Sequence, residues 1–186
     1  MGAPRGVKVL AAVAAVAALA AACVPLLPHD YLEPSAPGAT VIVNRCWGTR
    51  DQLEMDLGAV KAYARVALFP PSQRFVELRL QVPPGHVIVP AGDEAVITSS
   101  AGSVRRQVVL GNTSNPTLST EPLHAMQGGR MAGGFDQNHW LFVALADEGE
   151  MDIRFPAMSL DGKPLPLPPI HFTPRTHVQA AAPLQC

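Results

Sequence analysis

Several kinds of chemistry are missing from this chain of 186 residues. It has no Gly-x-Ser-x-Gly elbow to lift a serine nucleophile off a strand-to-helix turn. It has no His-Glu-x-x-His repeat to hold zinc on one face of a helix. Its glycine pairs, Gly128-Gly129 and Gly133-Gly134, do not open a helix after a strand, so they form no phosphate cradle. Serine, histidine and aspartate are present but scattered, and a triad is defined by geometry that spacing does not supply. Lysine occurs three times against eleven arginines, with no basic block, and the formal net charge is −1. Nothing here offers a counterion-releasing surface for nucleic acid. A membrane-spanning helix needs about 20 predominantly apolar residues, whereas the apolar run before Cys23, residues 9–22, has fourteen. The sequence reads as that of a non-catalytic protein, with no nucleic-acid partner and no cofactor.

That apolar run is nevertheless the clearest signal in the chain. Arg5 and Lys8 precede it, and Ala20, Ala21 and Ala22 close it immediately before Cys23. A charged start, a short apolar stretch and small residues at its end are the layout of an export signal. With cysteine next, the segment resembles a bacterial lipoprotein signal, whose lipobox is usually Leu, two small residues and Cys. Here Ala20 fills the Leu position and Leu19 stands one place earlier. The resemblance covers only residues 1–23. It implies a signal at 1–22, diacylglycerol on the Cys23 sulfur and further acylation at its amide nitrogen. Several chains anchor stably where one alone does not. The other reading is an ordinary secretory cut at Ala-x-Ala, leaving Cys23 as a plain first residue. The expected location is the cell envelope, lipid-anchored to the inner or outer membrane, with the domain in the periplasm or outside the cell; the secretory cut would instead leave the chain simply secreted. The arginine-over-lysine bias and abundant alanine agree with a GC-rich bacterial coding sequence. Loss of Arg5 and Lys8 with the signal would take the net charge from −1 to −3.

If Cys23 carries lipid, Cys46 and Cys186 remain as a pair in an oxidising compartment. A bridge between them would close a loop across nearly the whole domain. Chain-entropy models assign about 4–5 kcal/mol to loops of that order. The alternatives are a free Cys186 at the last position or a bridge between chains.

Residues 23–38 hold four prolines and no apolar period, so they read as an extended tether. The domain is then expected at 39–186. Residues 75–82 alternate strictly, with Val76, Leu78, Leu80 and Val82 on one side and Glu77, Arg79 and Gln81 on the other. That is the period of a half-buried strand. Short β-rich runs are expected at 40–44, 87–89, 95–98, 106–110, 158–160, 164–167 and 170–173. Residues 53–69 fit both periods; a strand is expected after Gly58, with a turn or one helical turn before it. Residues 140–146 and 151–155 read as a hairpin across Asp147, Glu148, Gly149 and Glu150. Asp161-Gly162 is the pair favoured where both central turn positions need positive φ. Turn signals at this cadence describe an all-β, antiparallel sandwich, immunoglobulin-like in general architecture.

Residues 111–138 break the cadence. They lack periodicity, and long loops on a sheet scaffold commonly carry recognition. His124, Met126, Arg130, Met131 and Asp136 are the candidate partner-binding residues, the methionines as a deformable exposed apolar contact and the others as polar fixing. The expected partner is an envelope protein. An alternative is a periplasmic copper module, since His124, Met126, Met131 and His139 supply imidazole and thioether donors that suit copper(I). Asp147, Glu148, Glu150 and Asp152 could offer oxygens to calcium but lack the EF-hand spacing, so a solvated turn is expected there.

Overall fold

A computed structural model of the chain describes residues 26–68, 73–111, 123–146 and 149–180. The strands, in chain order, are β1 (Leu26–Ser35), β2 (Thr40–Ile42), β3 (Gln52–Asp56), β4 (Lys61–Leu68), β5 (Arg74–Val82), β6 (Val87–Pro90) and β7 (Glu94–Ser99). They continue with β8 (Gly102–Gly111), β9 (Met126–Gln127), β10 (Gln137–Ala144), β11 (Met151–Arg154), β12 (Met158–Leu160), β13 (Lys163–Leu165) and β14 (Ile170–Ala180). No helix occurs among the described residues, and the strands pair antiparallel.

Ten strands form one continuous sheet, β1-β14-β11-β7-β8-β10-β5-β4-β3-β2, whose β1-β14-β11-β7 and β10-β5-β4-β3-β2 parts meet through β1 against β3 and β4 as two layers that share β8. Its first part pairs with β7, from Ser99↔Gly102 to Glu94↔Gln107. Its last part pairs with β10, from Val143↔Val108 to Trp140↔Gly111. A small sheet, β13-β12-β6-β9, completes the molecule. One apolar core joins the layers, including Leu32, Leu53, Leu78, Ile97, Leu141, Ile153, Ile170 and Phe172. The all-β sandwich therefore holds, with a strand order set by the sharing of β8.

The alternation in β5 is realised: Val76, Leu78, Leu80 and Val82 are fully buried. Its other face is buried too at one end, which alternation alone does not announce. Phe75 meets Phe142 edge-on with ring centroids 6.3 Å apart, a geometry worth about 0.5–1.5 kcal/mol beyond area burial. Glu77, 5% exposed, is held by Arg65 from the register-paired position, with Nε at 3.2 Å and Nη2 at 3.0 Å from its two carboxylate oxygens. Gly111 permits this packing, because a Cβ there would stand 2.6 Å from the Phe142 ring. Asp161 (φ 51°) and Gly162 (φ 80°) form the turn between β12 and β13 as expected.

Four expectations are corrected. The proline-rich 26–35 segment is no tether: it pairs with β14 over ten positions, from Leu26↔Ala180 to Ser35↔His171. β1 lies at the rim of its sheet, where Pro28 and Pro34 share one parity and their missing N–H groups fall on the open side. Residues 52–56 form a strand rather than a turn, paired to β2 and β4. β10 and β11 form no hairpin; β10 pairs with β5 and β8, and β11 with β7 and β14, so the chain changes layer between them. The expected 111–138 loop contains β9 and an Arg130↔Asp136 bridge, with residues 112–122 outside the described set.

Candidate functional site

The 123–139 segment is built on backbone contacts. Leu123 packs against the core, and Met126 is 1% exposed, on a strand whose partner is β6 through Ile88↔Met126. Gly128 N–H donates to the His86 carbonyl at 2.8 Å, and Gln137 N–H donates to the Gly129 carbonyl at 2.9 Å. Beyond this base the chain turns tightly. Met131 N–H donates to the Phe135 carbonyl at 2.8 Å and Gly134 N–H to the Met131 carbonyl at 3.1 Å. Gly133 and Gly134 at φ 88° and 83° take conformations closed to most side chains. Arg130 clasps the turn, donating from Nη1 to the Gly134 carbonyl at 2.8 Å, with the Asp136 carboxylate 3.6 Å away. Asn138 donates to the Met131 sulfur at 3.4 Å. The tip thus carries Met131, 38% exposed, and Phe135, 68% exposed, on a braced backbone.

Met126 is the correction among the candidate binding residues: its side chain is core, because β9 turns it inward against the small sheet. His124, Arg130 and Met131 are exposed and Asp136 is partly so. Phe135 joins them at the tip, and an aromatic between glycines and an aspartate is its only signal in the sequence. The four-donor copper set is not assembled, since the Met126 thioether faces the core and His139 Nε2 is occupied by the Gln127 carbonyl at 2.8 Å. Among the described residues no group of three or more His, Cys, Asp or Glu side chains could hold a metal ion. Asp147 and Glu148 lie outside the described residues, while Glu150 and Asp152 bracket His171 at 3.1 and 3.0 Å.

Cys23 and Cys186 also lie outside the described residues. Cys46 sits in the expected turn, where the Asn44 side-chain oxygen accepts from the Cys46 and Trp47 amides at 3.0 and 3.3 Å. Cys46 is the one cysteine among the described residues. Trp47 stacks on His29 of β1 with centroids 5.2 Å apart, fixing the turn to the rim strand.

His86 and Asp161 form a contact that their separation of 75 positions hides. The pairing of β6 with β12 brings them together, with Nδ1 2.6 Å from a carboxylate oxygen. The other oxygen accepts from Val87 N–H at 2.9 Å. The His86 hydrogen bond, then that amide, hold the Asp161 carboxyl below its ordinary value. A carboxyl lowered by folding contributes stability that is present above its unfolded pKa and lost as pH falls through its folded one. Asp161→Asn tolerates the positive φ but cannot carry the charge. The variant should melt below the parent protein at about pH 6, and the gap should close towards about pH 2. A gap that does not change with pH would leave the lock without an ionic component.

These parts define an all-β antiparallel sandwich bearing a clasped, apolar-tipped surface loop. No protein-family model, curated protein or solved structure matches the chain.

Proposed function

We propose that the chain is an exported envelope protein, lipid-anchored at Cys23, whose sandwich has a non-catalytic binding role towards an envelope protein. The observation that carries the binding role is the braced tip, where Met131 and Phe135 stand exposed on a turn fixed by Arg130. Apolar side chains displayed on a rigid turn bind with little ordering cost, and a rim of Arg130, His124 and Asp136 supplies polar fixing. The anchor is supported by the charged start, the short apolar run and the small residues before Cys23. A Cys46–Cys186 bridge completes the proposal.

A photocrosslinking residue placed at Phe135 in intact cells should give a discrete adduct that disappears when Met131→Ser is added, with the melt unchanged. A diffuse ladder, or an adduct indifferent to Met131, would put recognition elsewhere. Intact mass of the membrane-extracted protein should show acyl additions on a chain beginning at Cys23, and non-reducing peptide mapping should link Cys46 to Cys186. A plain mature mass, or a Cys46–Cys23 link, would overturn the anchor.

A further inference from the structure

The sharing of β8 between layers leaves a gap. β8 and β10 pair up to Val108 and Val143 and then diverge, as Leu145 N–H turns to the Arg74 carbonyl at 2.9 Å. Among the described residues, β8 from Gly102 to Gln107 has a neighbour only on its β7 side, and all six residues are exposed. Val108 N–H points to that side, donating to the Asp93 carbonyl at 2.7 Å. Antiparallel strands alternate the direction of their amides, so the amides of Gln107, Arg105 and Ser103 point to the open side. Behind this edge lies a cleft of about 150 Å³, walled by Ile97, Val104, Leu145 and Met151. Arg106 is the one charged residue in its lining, and it has no ion-pair partner among the described residues.

We propose that this edge is a strand-addition site for an extended acidic peptide segment, which pairs with β8 and places an apolar side chain in the cleft beside Arg106. Main-chain bonds to an open edge give such segments affinity, and pockets for alternate side chains give selectivity. Charge selects the occupant. A second copy of this chain pairing antiparallel on the same edge would bring two Arg105-Arg106 pairs together, setting Arg105 or Arg106 against its own copy when the register centres there, and like charges directly opposite destabilise. An acidic segment meets the same two arginines favourably. Arg105 already engages Glu94 at 3.2 Å, with 74% of its side chain exposed, which leaves Arg106 as the selecting cation. This surface is distinct from the Met131/Phe135 tip and does not depend on it.

The test uses the full ¹⁵N-labelled chain and acetylated peptides of about seven residues, matching the edge at about 3.4 Å per residue. Both carry serine on the face away from the cleft; on the face towards it both carry valine opposite Val104, and opposite Arg106 one carries glutamate and the other lysine. The glutamate peptide should bind saturably, slowing exchange at the Ser103, Arg105 and Gln107 amides, and the lysine peptide about tenfold more weakly or not at all. Arg106→Glu should reverse that preference without moving the melt. Arg105→Pro, which removes one outward amide from an edge position that tolerates proline, should weaken both peptides, again with the melt retained. Equal binding of the two peptides, a preference unchanged in Arg106→Glu, or protection of these amides in a peptide-free dimer would each overturn the proposal.

Discussion

Met126→Ala is expected to cost the fold about 2–5 kcal/mol, the range for truncating a fully buried methionine and leaving a cavity. Its side chain is 1% exposed and belongs to the common core, on a strand of only two residues held by β6. So short a strand cannot shift to refill the space without losing its pairing. Met131→Ala, five positions on, should change stability by less than about 0.5 kcal/mol, as exposed positions do. Its sulfur accepts from Asn138 at the surface and contributes nothing to the core. Equilibrium denaturation of the two variants measures both. Equal effects would mean that the tip is part of the folding core, and recognition by it would then be hard to separate from stability.

Gly128→Ala should destabilise by at least about 2 kcal/mol, towards the upper end of the usual cost of overpacking. A Cβ at Gly128 would lie 1.9 Å from the Pro83 carbonyl oxygen and 3.0 Å from that of His86. Both obstacles are backbone, so no side chain can swing clear, and the turn after β5 would have to separate from β9. Gly129→Ala is the control. Its Cβ would meet only the Gln137 side chain at 3.7 and 3.8 Å, ordinary contact distances, and should cost less than about 1 kcal/mol. Thermal melts of the pair decide the matter, and a Gly128→Ala protein as stable as Gly129→Ala would mean that the Gly128–Pro83 crossing is loose enough to admit a methyl group.

What could be read in advance follows from how each element stores its information. β5 announces itself because its core side chains alternate, and the Asp161-Gly162 turn because only certain residues accept positive φ. β1 is obscured by its prolines, which a strand accepts only where the missing N–H faces no partner, and that is a property of the whole sheet. The strand expected at 106–110 begins earlier, at Gly102, and Gly102 to Arg105 are all exposed, so no buried alternation marks them. β9 is too short to have a period. Proximity in sequence suggests a β10–β11 hairpin, whereas β10 finds its partners in β5 and β8 and β11 in β7 and β14. Of the candidate site, Arg130, Met131 and Asp136 could be named from composition, but the inward turn of Met126 and the display of Phe135 depend on pairing with β6.

The pairing of β1 with β14 also fixes a length. Only Val24 and Pro25 stand between Cys23 and Leu26, so three Cα–Cα steps of about 3.8 Å allow at most roughly 11 Å between acylated residue and sheet. An anchor at Cys23 would therefore hold the rim of the sandwich against the lipid headgroups instead of on a swinging stalk. Search by such a protein is two-dimensional. It meets partners that share its membrane, or that come within one domain's thickness of the bilayer, and cannot reach across the compartment.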